Sequence, residues 1–141
     1  AKKYEETVDK RIPPGSVIYY KTKKEIVFST QVECDAVLTG FSAYELFGIK
    51  LFTVDYTYYL PKKKLTKQEV FLHSLYRVEK EGDARDIILI ALFYLKHKKE
   101  LAKIKHDIIN NIKNVLNGER INYYPRLAEI KDRAYVYDIK I

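Results

Sequence analysis

A chain of 141 residues with 47% hydrophobic and 32% charged side chains can fill one ordinary core and is not intrinsically disordered. Its single cysteine, Cys34, forbids an internal disulfide; no Cys/His cluster has zinc spacing; and the longest apolar run, 87–95, is too short to span a bilayer. The formal net charge of +7 belongs wholly to residues 61–141, because residues 1–60 hold eight basic and eight acidic side chains.

These features lead to the expectation of one soluble domain over 1–141 in a reducing, cytoplasmic compartment, with no membrane partner. The N-terminus has no apolar signal region, and no Met occurs anywhere, so the chain is expected to be processed or to be a piece of a longer protein. Residues 1–16 are polar and end in Pro13-Pro14-Gly15-Ser16. They read as a flexible lead-in, or as a linker from a missing N-terminal domain.

A hairpin follows. Val17–Lys21 and 25–30 are rich in β-branched and aromatic residues around Thr22-Lys23-Lys24. A short helix is expected over 42–47, with Ser42 and Glu45 in capping-box spacing and Gly48 as the C-cap. In 52–60, Phe52, Val54, Tyr56, Tyr58 and Leu60 alternate with more polar neighbours, so the whole run reads as a strand ended by Pro61. The period then becomes helical. Thr66 and Glu69 form a second capping box, ahead of a helix with Phe71, Leu75 and Val78 on one face. Gly82 breaks that helix, and Asp83 caps an almost wholly apolar one over 84–95, expected to be the buried centre. A third helix is expected over 99–116, closed by Asn117-Gly118. A fourth starts near Pro125 and runs to about Val136. Tyr135, Val136, Tyr137, Ile139 and Ile141 read as a terminal strand or an interaction edge. Strands first and helices after imply an α+β fold, a β-rich N-terminal half packed on about four helices.

Catalytic patterns are sparse. No serine sits in a nucleophile elbow, and no phosphate-binding glycine loop is present. Ser74 follows His73 directly, and adjacent helical side chains diverge by about 100°, so His73 reads as a helix residue near the core edge. Cys34 reads as a small packed residue. Gly15-Ser16 with Glu33 and Asp35 has the outline of a nucleotidyltransferase or nuclease site that would need Mg²⁺; on a strand the two carboxylates would share a face. A solvated strand end is the plainer account of them. Otherwise the pattern carries no catalytic residue, no metal site and no cofactor.

The clearest surface pattern is basic. On a continuous helix, Lys99, Lys103, His106, Asn110 and Lys113 would form one stripe opposite Ile104, Ile108, Ile112 and Val115. Such a stripe can follow a phosphate backbone, and Lys62, Lys63 and Lys64, with Lys96 and Lys98, would widen it. Lysines position rather than read bases, so DNA or RNA contact would be largely indifferent to sequence. A lysine-rich solvated surface is the plainer account.

Two segments carry a resemblance. Residues 36–49, Ala-Val-Leu-Thr-Gly-Phe-Ser-Ala-Tyr-Glu-Leu-Phe-Gly-Ile, then an alternating strand ending in Leu60-Pro61, resemble the Ser-Ala…Gly helix and following strand of AbiEi-type antitoxins and related archaeal and bacterial transcriptional regulators. Residues 69–75, Glu-Val-Phe-Leu-His-Ser-Leu, then Asp86 and a buried helix, are similar to the C-terminal helical part of that family. The resemblance implies a non-enzymatic, nucleic-acid-associated regulator or antitoxin-like domain with a cognate protein partner or a homodimer. It supplies no catalytic residues. The family's DNA-binding winged helix has no counterpart before residue 40, which implies an effector half. A nucleotidyltransferase- or nuclease-like enzyme, and a pure protein-interaction domain, are the alternatives.

Overall fold

The computed structural model describes residues 9–141; the first half of the proposed lead-in lies outside them. Four strands, β1 (Val17–Lys21), β2 (Ile26–Thr30), β3 (Val37–Leu38) and β4 (Tyr56–Leu60), form one antiparallel sheet in the order β1-β2-β4-β3. A 3-10 helix, Gly40–Phe47, lies between β3 and β4. Four α-helices follow: α1 (Lys67–Glu81), α2 (Ala84–Lys96), α3 (Asp107–Leu116) and α4 (Leu127–Val136). The architecture is α+β, with the sheet in the N-terminal half and the α-helices after it.

The hairpin turn is held by Thr22, whose hydroxyl accepts from the amides of Lys24 and Glu25. In β1 the pairing slips between Ile18 and Tyr20. This bulge puts the consecutive Tyr19 and Tyr20 on the helix side, where Tyr20 stacks on Tyr76 at 4.6 Å. The other sheet face buries Ile26, Phe28 and Tyr58 under Ile12, Ile18 and Cys34.

The main core lies between sheet and helices. Seven residues of α2 are buried, among them Ile88, Leu92 and Phe93. Phe93 is ringed by Tyr44, Phe71, Phe47 and His97, with centroids 4.3 to 6.0 Å away. Both expected caps form: Thr66 with Glu69, and Asp83 with Asp86 as a second reciprocal box.

Four expectations are corrected. The strand over 52–60 begins only at Tyr56, because β2 ends at Thr30, the partner of Tyr56, and leaves 52–55 no ladder to join. Phe52 and Val54 are consequently 97% and 92% exposed. The helix over 99–116 begins only at Asp107; the chain turns through 97–103, burying Leu101, and the His106 ring accepts from the Ile108 amide as N-cap. The helix over 42–47 is a 3-10 helix entered at Thr39; the Ser42 hydroxyl caps nothing and accepts from the Thr57 amide of β4 instead. Residues 135–141 form no strand: α4 runs to Val136, and Asp138, at φ 59°, closes it in the left-handed region. The last helix does start near Pro125, at Leu127 with Arg126 as its N-cap.

Candidate functional site

Two surface regions are built from converging elements. The first is the end of the molecule where α1 begins and α2 stops. Glu100 joins them: its carboxylate takes an ion pair from Lys67 at 3.2 Å, and its carbonyl accepts from the Gln68 amide group at 3.1 Å. His97 donates from Nε2 to the Phe47 carbonyl at 2.8 Å, fixing its tautomer and bringing the end of the 3-10 helix alongside. Gly48 follows at φ 93°, and a side chain there would strike Lys96 Cε at 2.6 Å. Three segments distant in sequence, 46–49, 61–69 and 96–100, thus meet at one end.

This end is rich in lysine. Lys62 pairs with Asp35 at 2.5 Å, and Lys63 pairs with Glu69 at 2.7 Å beneath the Tyr59 ring. Lys64, Lys96, Lys98 and Lys99 have no carboxylate within 4 Å among the described residues. Four uncompensated cations at one end make a positive field that an extended polyanion can use.

The expected stripe does not exist as one helical face. Lys99 and Lys103 lie on the turn, while Asn110 and Lys113 lie on α3. Lys113 sits over the Tyr94 ring at 5.9 Å. His106 is committed twice, with Nδ1 accepting from Ile108 and Nε2 donating to the Glu79 carboxylate, so its ring is not free for a phosphate. Segments 61–69 and 96–100, which carry Lys62, Lys63, Lys64 and Lys99, meet through Lys67, Gln68 and Glu100; Lys103, His106, Asn110 and Lys113 lie outside both segments.

Glu33 and Asp35 lie on the loop between β2 and β3, not on a strand. Asp35 is 87% exposed and neutralised by Lys62. Among the described residues, no three His, Cys, Asp or Glu side chains come close enough to hold a metal ion. Burial, then the charge of Asp35, pushes the Cys34 thiol up, away from the thiolate a nucleophile needs.

His73 is not at the core edge but inside it, 6% exposed. It stacks on Tyr59 at 5.0 Å, and its Nδ1 shares a hydrogen bond with the Thr39 hydroxyl at 2.7 Å. Burial pulls its pKa down to about 4, so the ring is neutral at neutral pH. The adjacent Ser74 bonds the Tyr44 hydroxyl at 2.8 Å. Both are packing devices joining α1 to the 3-10 region.

The second region, a cleft of about 810 Å³, was not expected from sequence. Loop 50–55 forms one wall, with α4 opposite, and Ile88 and Leu89 of α2 are among the lining residues between them. Arg77 anchors the loop by a two-pronged bond to Asp55, at 2.9 and 3.0 Å, and a bond to the Thr57 hydroxyl at 2.9 Å. Tyr137 fixes the other end by donating to the Lys50 carbonyl at 2.8 Å. The charges balance: Lys50, Arg77, Arg85 and Arg133 against Asp55, Asp86, Glu129 and Asp132. Burial, then Asp83, raises the pKa of Asp86. The exposed Phe52 and Val54 stand on the rim, a signal hidden in the sequence because their alternation imitates a strand.

Comparison with protein-family models, with curated proteins and with solved structures gives no match. No helix among the described residues is long and apolar enough to cross a membrane.

Proposed function

We propose that this chain is a non-enzymatic, nucleic-acid-associated regulator or antitoxin-like domain that touches the phosphate backbone through its lysine-rich end. One observation carries the reading: Lys64, Lys96, Lys98 and Lys99, from two segments far apart in sequence, sit at one end with no acidic partner among the described residues. Each phosphate contact releases a condensed counterion and strengthens binding at low salt. The free cations are all lysines, and the amide of the neighbouring Gln68 is already bound to the Glu100 carbonyl, which favours contact indifferent to sequence. The resemblance of 36–60 and 69–86 to AbiEi-type regulators supports the same class and remains part of the proposal.

The test is filter binding to duplex DNA across a salt series. Four engaged lysines predict a slope of log affinity against log salt of about −3 to −4. Replacing the four by Gln should weaken binding equally on every sequence and flatten the slope. Replacing Lys103 and Lys113, which lie outside the group, should change it little. Equal binding by wild type and the four-lysine variant would remove the basis of this reading.

A further inference from the structure

The cleft between loop 50–55 and α4 sits beside exposed apolar side chains with nothing covering them. Phe52 and Val54 on one wall are 97% and 92% exposed, and Val136 is 72% exposed. Val136 follows Glu129, Asp132 and Arg133 by seven, four and three residues, so it shares their face of α4, and the next residue, Tyr137, lines the cleft. Projection and hollow are therefore contiguous on one surface.

We propose that this surface binds a second copy of the chain: Phe52 and Val54 of each copy enter the cleft of the other about a twofold axis. The inference is independent of the nucleic-acid reading. A surface that carries projection and hollow together closes on itself, because a twofold axis satisfies both at once.

Area and charge both favour a second copy as the occupant. Fully exposed Phe and Val side chains offer about 350 Å² per copy. With the smaller area of the receiving walls that they cover, two copies bury about 1,000 Å² in all, the lower limit of a specific interface. The protein carries +7 overall, yet the cleft lining carries four cations and four anions. Two copies can therefore meet here without the repulsion their net charge would impose elsewhere. The uncompensated lysines lie toward the other end of the α1–α2 pair. Arg85 and Lys96, near opposite ends of α2, are separated by about 16 Å along the helix. A strongly acidic or basic partner would find no complementary field in a balanced cleft.

Sedimentation of the full chain from ~1 to ~500 µM tests this. The mass is expected to rise from 16.7 kDa toward twice that value with concentration. Phe52→Asp with Val54→Asp should raise the dimer dissociation constant at least ~30-fold. Both side chains are exposed, so circular dichroism should show the variant folded. Val136→Asp, on the other wall, should weaken association as well. Leu46→Asp, 78% exposed but outside the cleft, should leave it unchanged. A monomer throughout the range overturns the proposal, and so does association that the cleft variants do not reduce. Equal loss with Leu46→Asp overturns it too, since that would mark nonspecific stickiness.

Discussion

Two stretches with apolar side chains end in opposite places. Residues 84–95 become α2, with Leu92 and Phe93 fully buried; residues 52–54 hold Phe52 and Val54, nearly fully exposed. Periodicity tells a strand from a helix in them, but it does not say which stretch will be covered. What separates them is whether neighbouring elements supply a partner. The stretch in α2 starts at a reciprocal cap and has sheet, 3-10 helix and α1 to pack against. The stretch at 52–54 extends past the end of the strand it would need to pair with. An apolar pattern states what can be buried, and length matching among partners decides what is.

The contrast breaks most visibly at Phe93. Phe93→Ala removes a ring enclosed by Tyr44, Phe47, Phe71 and His97. Loss of transfer energy plus the cavity should cost about 3–5 kcal/mol, read from a denaturant midpoint at unchanged m-value. A cost below about 1 kcal/mol would mean that α2 is not the packed centre.

The same logic explains which parts of the molecule were legible. Side-chain caps are local, so Thr66-Glu69, Asp83 and Gly48 announce themselves within a few residues. The fold class follows from strands preceding helices. Tertiary decisions stay hidden. Nothing near His106 says that its ring will cap α3 and meet Glu79, which splits the expected lysine stripe. Nothing near Lys62 says that Asp35 will neutralise it, or that Glu100 will draw 96–100 against the start of α1. Of the basic residues marked in the sequence, those on the segments 62–64 and 96–99 come to one end, because Lys67, Gln68 and Glu100 join the segments.

His73 gives a smaller, pH-dependent effect at the boundary between sheet and helices. Its folded pKa of about 4 lies below the 6.5 of an unperturbed histidine. The unfolded chain therefore binds the extra proton between those values, and stability is lost as pH falls through that window. Above pH 6.5 the group contributes no pH dependence. The loss should reach about 3 kcal/mol by pH 4. His73→Gln, which keeps an acceptor for the Thr39 hydroxyl, should be less stable at pH 7 but should lose less on acidification. Urea melts at pH 7, 5.5 and 4.5 compare the two slopes. Parallel slopes would mean that the ring is solvated. The carboxylates of Asp9 and Asp83, whose pKa values are lowered by partners other than His73, act on both proteins alike.

The smallest effect belongs to the other member of the comparison, and it depends on concentration. In the lone chain, Phe52 touches almost nothing, so Phe52→Ser should shift stability by under about 0.5 kcal/mol at low micromolar protein. That is an order of magnitude below the cost at Phe93, for the same kind of side chain. If a second copy covers Phe52, binding stabilises the folded state by RT ln(1 + [L]/Kd), and only the wild type gains as protein concentration rises. Thermal melts of both proteins from low to several hundred micromolar should therefore start together and then diverge, with the wild type moving upward. Curves that stay superimposed would leave Phe52 as a solvated side chain without a partner copy. Curves already separated by more than about 1 kcal/mol at the lowest concentration would show loop 50–55 packed against its own chain, and the distinction between the two apolar stretches would fail.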